Sequence, residues 1–180
     1  AEHTHKSAGY AVTGAVGNGY EFDFLALRSD FIKPIKIAGN YVFGFEQNKE
    51  IIDSYFEETE RIYKYYNENI LHAFSAYVLA KEKYNVKSGE VLNSIMNHTI
   101  GRPNMSMYEK IIFISDYIEP NRTYESCVKV REIASNNIDE AVFTAIDDSI
   151  KFYEAQKGLI PLIAYEARQF YRRLLEVQHD

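Results

Sequence analysis

From Asn48 to the C-terminus the apolar residues of this chain recur at three- and four-residue spacing, which is the period of a helix face and not of a strand. Ile51, Ile52, Tyr55, Phe56 and Thr59 form one stripe, which Ile62, Tyr63 and Tyr66 continue; His72, Ala76, Leu79 and Ala80 share the next face, which ends near Tyr84. Ser88 is placed to cap a helix carrying Val91, Leu92, Ile95 and His98. Ser106 and Glu109 form an S-x-x-E capping box ahead of Ile111–Ile118, and Pro120 stops that helix. Val128–Ser135 reads as a short helix, and Asp139 as the cap of a longer one through Tyr153, closed by Gly158 and Pro161. Ala164–Val177 is a final amphipathic helix. The expected fold class is an all-α bundle, and no repeat or linker divides residues 1–180 into more than one domain.

Residues 1–44 are different. They hold six of the nine glycines (Gly9, Gly14, Gly17, Gly19, Gly39 and Gly44), each costing roughly 1 kcal/mol relative to Ala inside a helix. Ala8, Ala11, Val12, Ala15 and Val16 make a weak helical face that Gly14 and Gly17 interrupt. Tyr20–Leu27 and Phe31–Val42 read as irregular or extended, with Pro34 as a breaker. The expectation is an irregular N-terminal segment. The chain begins at Ala1 without Met, as a trimmed or partial N-terminus does, and AEHTHKS lacks a basic-then-apolar signal pattern.

With 46% hydrophobic and 26% charged residues, the composition is that of a soluble globular protein. A net charge of -6 disfavours bulk nucleic-acid binding, so polyphosphate recognition would need a local basic cluster. No apolar run is long enough for a bilayer, so no membrane partner is expected. Cys127 is the single cysteine, which fits a reducing compartment and an inert thiol.

Charge is costly to bury unless it is paired or binds a metal. His72, His98 and Asp116 each fall on an apolar helical face, Asp116 with Ile112 and Phe113. Imidazole and carboxylate are ligands for iron, manganese or zinc, and bundles assemble such sites from separate helices. The alternative for each histidine alone is a hydrogen-bonded core residue, and for Asp116 a cap or an ion pair with Lys110 or Arg122. Arg102, held between Gly101 and Pro103, has the fork that suits phosphate oxygens, as have Arg122 and Arg168; for each the alternative is a salt bridge. Lys110 is expected to pair with an acid, and most of the 15 tyrosines to pack in the core.

Ile70-Leu71-His72-Ala73, His98-Thr99-Ile100-Gly101-Arg102-Pro103 and Asp116-Tyr117-Ile118-Glu119-Pro120-Asn121-Arg122 resemble the YqeK-type branch of the HD-domain phosphohydrolases, the symmetrical bis(5'-nucleosyl)-tetraphosphatases. The resemblance runs from about residue 70 to the end, through Val130–Ala134, Asp139–Val142 and Ala167-Arg168. It implies an HD-type helical bundle that holds two divalent metal ions, iron first and manganese as the alternative, and cleaves diadenosine tetraphosphate symmetrically to two ADP. By position, the metal ligands would be His3, His72, His98 and Asp116, with His98 and Asp116 catalytic. Arg102, Thr99, Arg122 and Arg168 would bind substrate. The implied setting is the cytoplasm, the implied partner a small dinucleoside polyphosphate, and a homodimer stays open.

One element departs from the pattern. The adjacent His-Asp pair that names the superfamily does not occur between His3 and Asn48; the sole His-Asp dipeptide is His179-Asp180. Pro34-Ile35 or Val42-Phe43 stands at its place, depending on the alignment, and His5, Asp23 and Asp30 are substitutes by residue type alone. The competing expectation is therefore a homologue that binds nucleotide without hydrolysing it.

Overall fold

The computed structural model describes residues 15–16, 20–21, 45–119 and 122–179. Two-residue strands β1 (Ala15–Val16) and β2 (Tyr20–Glu21) pair antiparallel, with Ala15 opposite Glu21 and Val16 opposite Tyr20. Ala15 and Val16 are thus extended, not helical, as Gly14 and Gly17 on either side favour. The remainder of the described chain is helical: α1 (Phe45–Asp53), α2 (Thr59–Tyr65), α3 (Glu68–Val78), a π-helical segment (Leu79–Lys83), α4 (Gly89–Asn97), α5 (Met107–Tyr117), α6 (Glu125–Ala134), α7 (Ile138–Ala155) and α8 (Leu162–His179).

The caps follow the sequence closely. Ser88 Oγ accepts from the Val91 amide at 3.4 Å and starts α4. At α5 the capping box closes in both directions: the Glu109 amide donates to Ser106 Oγ at 3.3 Å, and the Ser106 amide to Glu109 Oε2 at 2.8 Å. Three details differ from expectation. The first stripe is broken between α1 and α2, where Glu58 takes φ 52° and the chain turns. Asn137, not Asp139, caps α7, because its Oδ1 reaches the amides of both Asp139 and Glu140 at 3.0 and 3.1 Å. That leaves Asp139 in the first turn, where it pairs with Lys110 at 2.6 Å; the lysine pairs with an acid as expected, but the sequence did not single out Asp139 as that acid. At the other end of α7 the left-handed residue is Lys157 (φ 54°), one before Gly158.

Neighbouring helices pack in an unbroken path: α1 on α3, α3 on α4, α4 on α5, α5 on α7, and α7 on both α6 and α8. Two apolar clusters follow. The larger joins α5 to α8 around Phe113, Val130, Val142, Ile146, Ala167 and Tyr171. Burying each large side chain there contributes ~1.5–3 kcal/mol over leaving it exposed. The smaller joins Ala76 and Ala80 to Val91, Leu92 and Ile95 of α4. α3 and α4 run antiparallel as a hairpin, so the start of one meets the end of the other. Below the smaller cluster, Ser75 donates to Asn48 Oδ1 at 2.6 Å and fixes α3 on α1.

Candidate metal centre

His72 stands one turn before Ala76 on α3, and His98 one turn after Ile95 at the end of α4. The hairpin therefore brings the two imidazoles together, with Nε2 to Nε2 3.0 Å apart. Their rings meet edge to face, the centroids 5.0 Å apart. Each Nδ1 is fixed by a backbone carbonyl: His72 to Asn69 O at 2.8 Å, His98 to Ile95 O at 2.6 Å. A carbonyl only accepts, so each Nδ1 carries its proton, and in the neutral ring each Nε2 presents a lone pair. Those two lone pairs point at one another. Thr99 Oγ1 lies 3.3 Å from one and 3.2 Å from the other, but its single hydrogen satisfies only one.

A proton or a metal ion would satisfy the remaining lone pair. The proton is disfavoured at His72: burial, and then the charge of His98, hold its pKa below the ordinary histidine value. A divalent ion fits the donor set, because imidazole nitrogens held by outer hydrogen bonds from Nδ1 are the usual arrangement at such sites. At metal–nitrogen bonds of ~2.1 Å, two ligands at a right angle lie ~3.0 Å apart, which is the separation observed.

The other candidate residues are placed differently. Asp116, read from Ile112 and Phe113 as facing the core, is exposed in the last turn of α5, and its Oδ1 lies 3.5 Å from Arg122 Nη2. This is the ion pair weighed as its alternative. Its charge still reaches His72, where it favours the protonated ring. Among the described residues no group of three or more His, Cys, Asp or Glu side chains is arranged to hold a metal. His3, His5, Asp23 and Asp30 lie outside those residues. Arg102 gives both Nε and Nη2 to Glu109, at 2.7 and 2.6 Å, and Nη1 to Pro103 O. Arg168 lies 3.4 Å from Asp147. Cys127 is buried, with Sγ 3.3 Å from Tyr117 O. A groove of about 460 Å³ between Pro103 and α8, lined by Phe170, Arg173 and Leu174, does not include the two histidines.

Comparison with known proteins bears on this arrangement. No family model matches the chain. Over 88 residues, 49% of this chain and 47% of the relative, it is 40% identical to the symmetrical bis(5'-nucleosyl)-tetraphosphatase of Halalkalibacterium halodurans. The Bacillus subtilis protein of the same name is 33% identical over 87 residues. The chain thus spans about half the length of the curated relatives it matches. The structure is similar to that of an HD superfamily hydrolase from Clostridium acetobutylicum, described as involved in NAD metabolism. The TM-score is 0.68 and the identity 31%, over 82% of this chain and 80% of that one. The chain belongs to the HD superfamily of hydrolases.

In this HD-superfamily chain two positions, one beside His98 and one beyond Asp116, carry more than the sequence indicated. Glu109, read as a helix cap, is fully buried and also accepts from Asn97 Nδ2 at 3.1 Å. Arg131 donates to the carbonyls of Ile118, Glu119 and Arg122, at 3.1, 2.9 and 2.6 Å, and so fixes the chain that leaves α5 beyond Asp116. A capping glutamate and a helix arginine are common, and nothing in the local pattern distinguishes these two.

Proposed function

We propose that this chain is a metal-dependent hydrolase that cleaves diadenosine tetraphosphate symmetrically to two ADP. The observation that carries the reading is the His72–His98 pair, whose Nε2 lone pairs converge at 3.0 Å with both Nδ1 protons committed elsewhere. The names of the relatives supply the substrate class. His72 and His98 would hold a divalent ion, iron or manganese, and Asp116, on the next helix and within electrostatic reach of His72, would turn from Arg122 to complete the set. His3 belongs to the same proposal as a further ligand, for a second ion. Such an ion, when bound, lowers the pKa of water and polarises a phosphoryl oxygen.

The chain's own groups do the rest. Water adds to one of the two inner phosphorus atoms, and the bond from that same phosphorus to the bridging oxygen breaks. The bridging oxygen leaves on the other phosphorus as the second ADP, and the proton lost by the water passes to solvent. Arg122, 41% exposed and held by one long contact, is free to exchange Asp116 for a phosphate oxygen. Thr99 Oγ1, between the imidazoles, would donate to the same phosphate once an ion takes up the two Nε2 lone pairs; its closeness to both rings supports this. Arg102 is a poorer candidate for that role, because Glu109 occupies its fork. Arg168 keeps the substrate assignment only if it releases Asp147.

A second reading, nucleotide binding without hydrolysis, is favoured by one observation: no His-Asp pair lies between His3 and Asn48. Incubation with diadenosine tetraphosphate and ferrous iron or manganese, against a chelated control, separates the two. Metal-dependent ADP without AMP and ATP supports the hydrolase. No product from folded protein whose melting temperature rises with the dinucleotide supports the binder.

A further inference from the structure

Glu109 is the one charged residue that is buried among those described, at 2% exposure. Its role as a helix cap uses a single bond, from the Ser106 amide to Oε2. Three others remain. Asn97 Nδ2 and Arg102 Nε both donate to Oε1, at 3.1 and 2.7 Å, and Arg102 Nη2 donates to Oε2 at 2.6 Å. Asn97 immediately precedes His98, and Arg102 follows Gly101. One carboxylate therefore grips both ends of the turn that carries His98 and Thr99. Within that turn the Gly101 amide donates to Asn97 O at 2.8 Å, and Asn97 Nδ2 also reaches Asn93 O at 2.8 Å. A shift of the His98 backbone relative to His72 carries Asn97 with it and strains the part-buried bond from Asn97 to Glu109.

We propose that Glu109 is a positioning residue for His98: it acts through Asn97 and Arg102 to hold the imidazole opposite His72, so Arg102 is a strut of the site and not a phosphate ligand. This rests on the reading that His72 and His98 bind a divalent ion. The guanidinium pairs the buried charge, but a carboxylate that served the helix alone would not need Asn97, nor a cation drawn from the same turn as His98.

The test is a Co²⁺ titration of the full chain followed by visible absorption, with melting temperature measured in parallel. The proteins are the wild type, His98→Ala, Glu109→Gln and Asn97→Ala. The Asn97 variant keeps the capping box and the arginine pair, so it reports the positioning role even if Glu109→Gln does not fold. The expected result is a Kd for Co²⁺ weakened ~10–100-fold in Asn97→Ala, the range for lost outer partners of metal ligands. Glu109→Gln should weaken at least as much, with a changed spectrum in both. A lower melting temperature with wild-type Kd and spectrum would make Glu109 merely structural and overturn the proposal. A wild type that binds Co²⁺ no better than His98→Ala would overturn the metal reading first, and this inference with it.

Discussion

Two glycines flank the site in sequence, and the structure gives their replacement opposite signs. Gly101 sits at φ +75°, a conformation that costs an L-residue roughly 1–2 kcal/mol. A Cβ there would stand 3.3 Å from Ile146 Cδ1, 3.4 Å from Met105 Cε and 3.6 Å from Phe113 Cε2. Those three side chains are at most 3% exposed, so none has open space to retreat into. Crowding of this kind adds ~1 kcal/mol or more. Gly101→Ala should therefore lose ~2–3 kcal/mol, a fall in melting temperature of ~4–12 °C for a chain of this size. Gly89, the first residue of α4 after the Ser88 cap, would meet nothing within 4 Å. Gly89→Ala should gain ~0.5–1 kcal/mol, chiefly by restricting the unfolded chain. Calorimetry on the metal-free protein, with both variants side by side, checks the pair. A Gly101→Ala protein as stable as the wild type, or a Gly89→Ala protein that loses as much as Gly101→Ala, would refute the argument from φ and packing.

Three further outcomes follow from the same contacts. Ser106→Ala removes the hydroxyl half of the capping box and should cost ~1 kcal/mol in urea unfolding, with no change in m-value. Tyr171, fully buried, accepts the Met105 amide at 3.1 Å; Tyr171→Phe strands that amide and should cost ~1–3 kcal/mol by the same measurement. Asp53 accepts from Thr59 and Tyr63, which hold its pKa below the ordinary 3.8. Its contribution is present above the unfolded-state value and lost as pH falls through the folded one. Asp53→Asn should accordingly lower the urea midpoint at pH 6, and the difference from wild type should shrink as the acid limb is descended.

The helices were legible because each signal for them is local. The Ser88 cap and the S-x-x-E box at Ser106 emerged at the residues expected, and Lys110 pairs with an acid, though that acid is Asp139, read from the sequence as a cap. The two histidines were legible as a pair because each shares a face with residues that pack together across the α3–α4 hairpin. Asp116 was not, since the apolar face of α5 runs out in its last turn and periodicity cannot register the missing neighbour. For Arg102 the salt bridge weighed as the alternative is present, and its partner could not be named from spacing, because Glu109 was read only as a cap and one carboxylate serves both. The substitution of Asn137 for Asp139 as the cap of α7 turned on a side-chain rotamer, to which spacing is blind.

If His72 and His98 form a metal centre that hydrolyses a dinucleoside tetraphosphate, the reaction depends on both imidazoles. The most direct measurement is ADP release from diadenosine tetraphosphate by metal-loaded wild type and by His98→Ala, with folding verified for both by circular dichroism. The expected result is metal-dependent ADP from the wild type and none above the chelated background from His98→Ala. Equal turnover by the two proteins would contradict it.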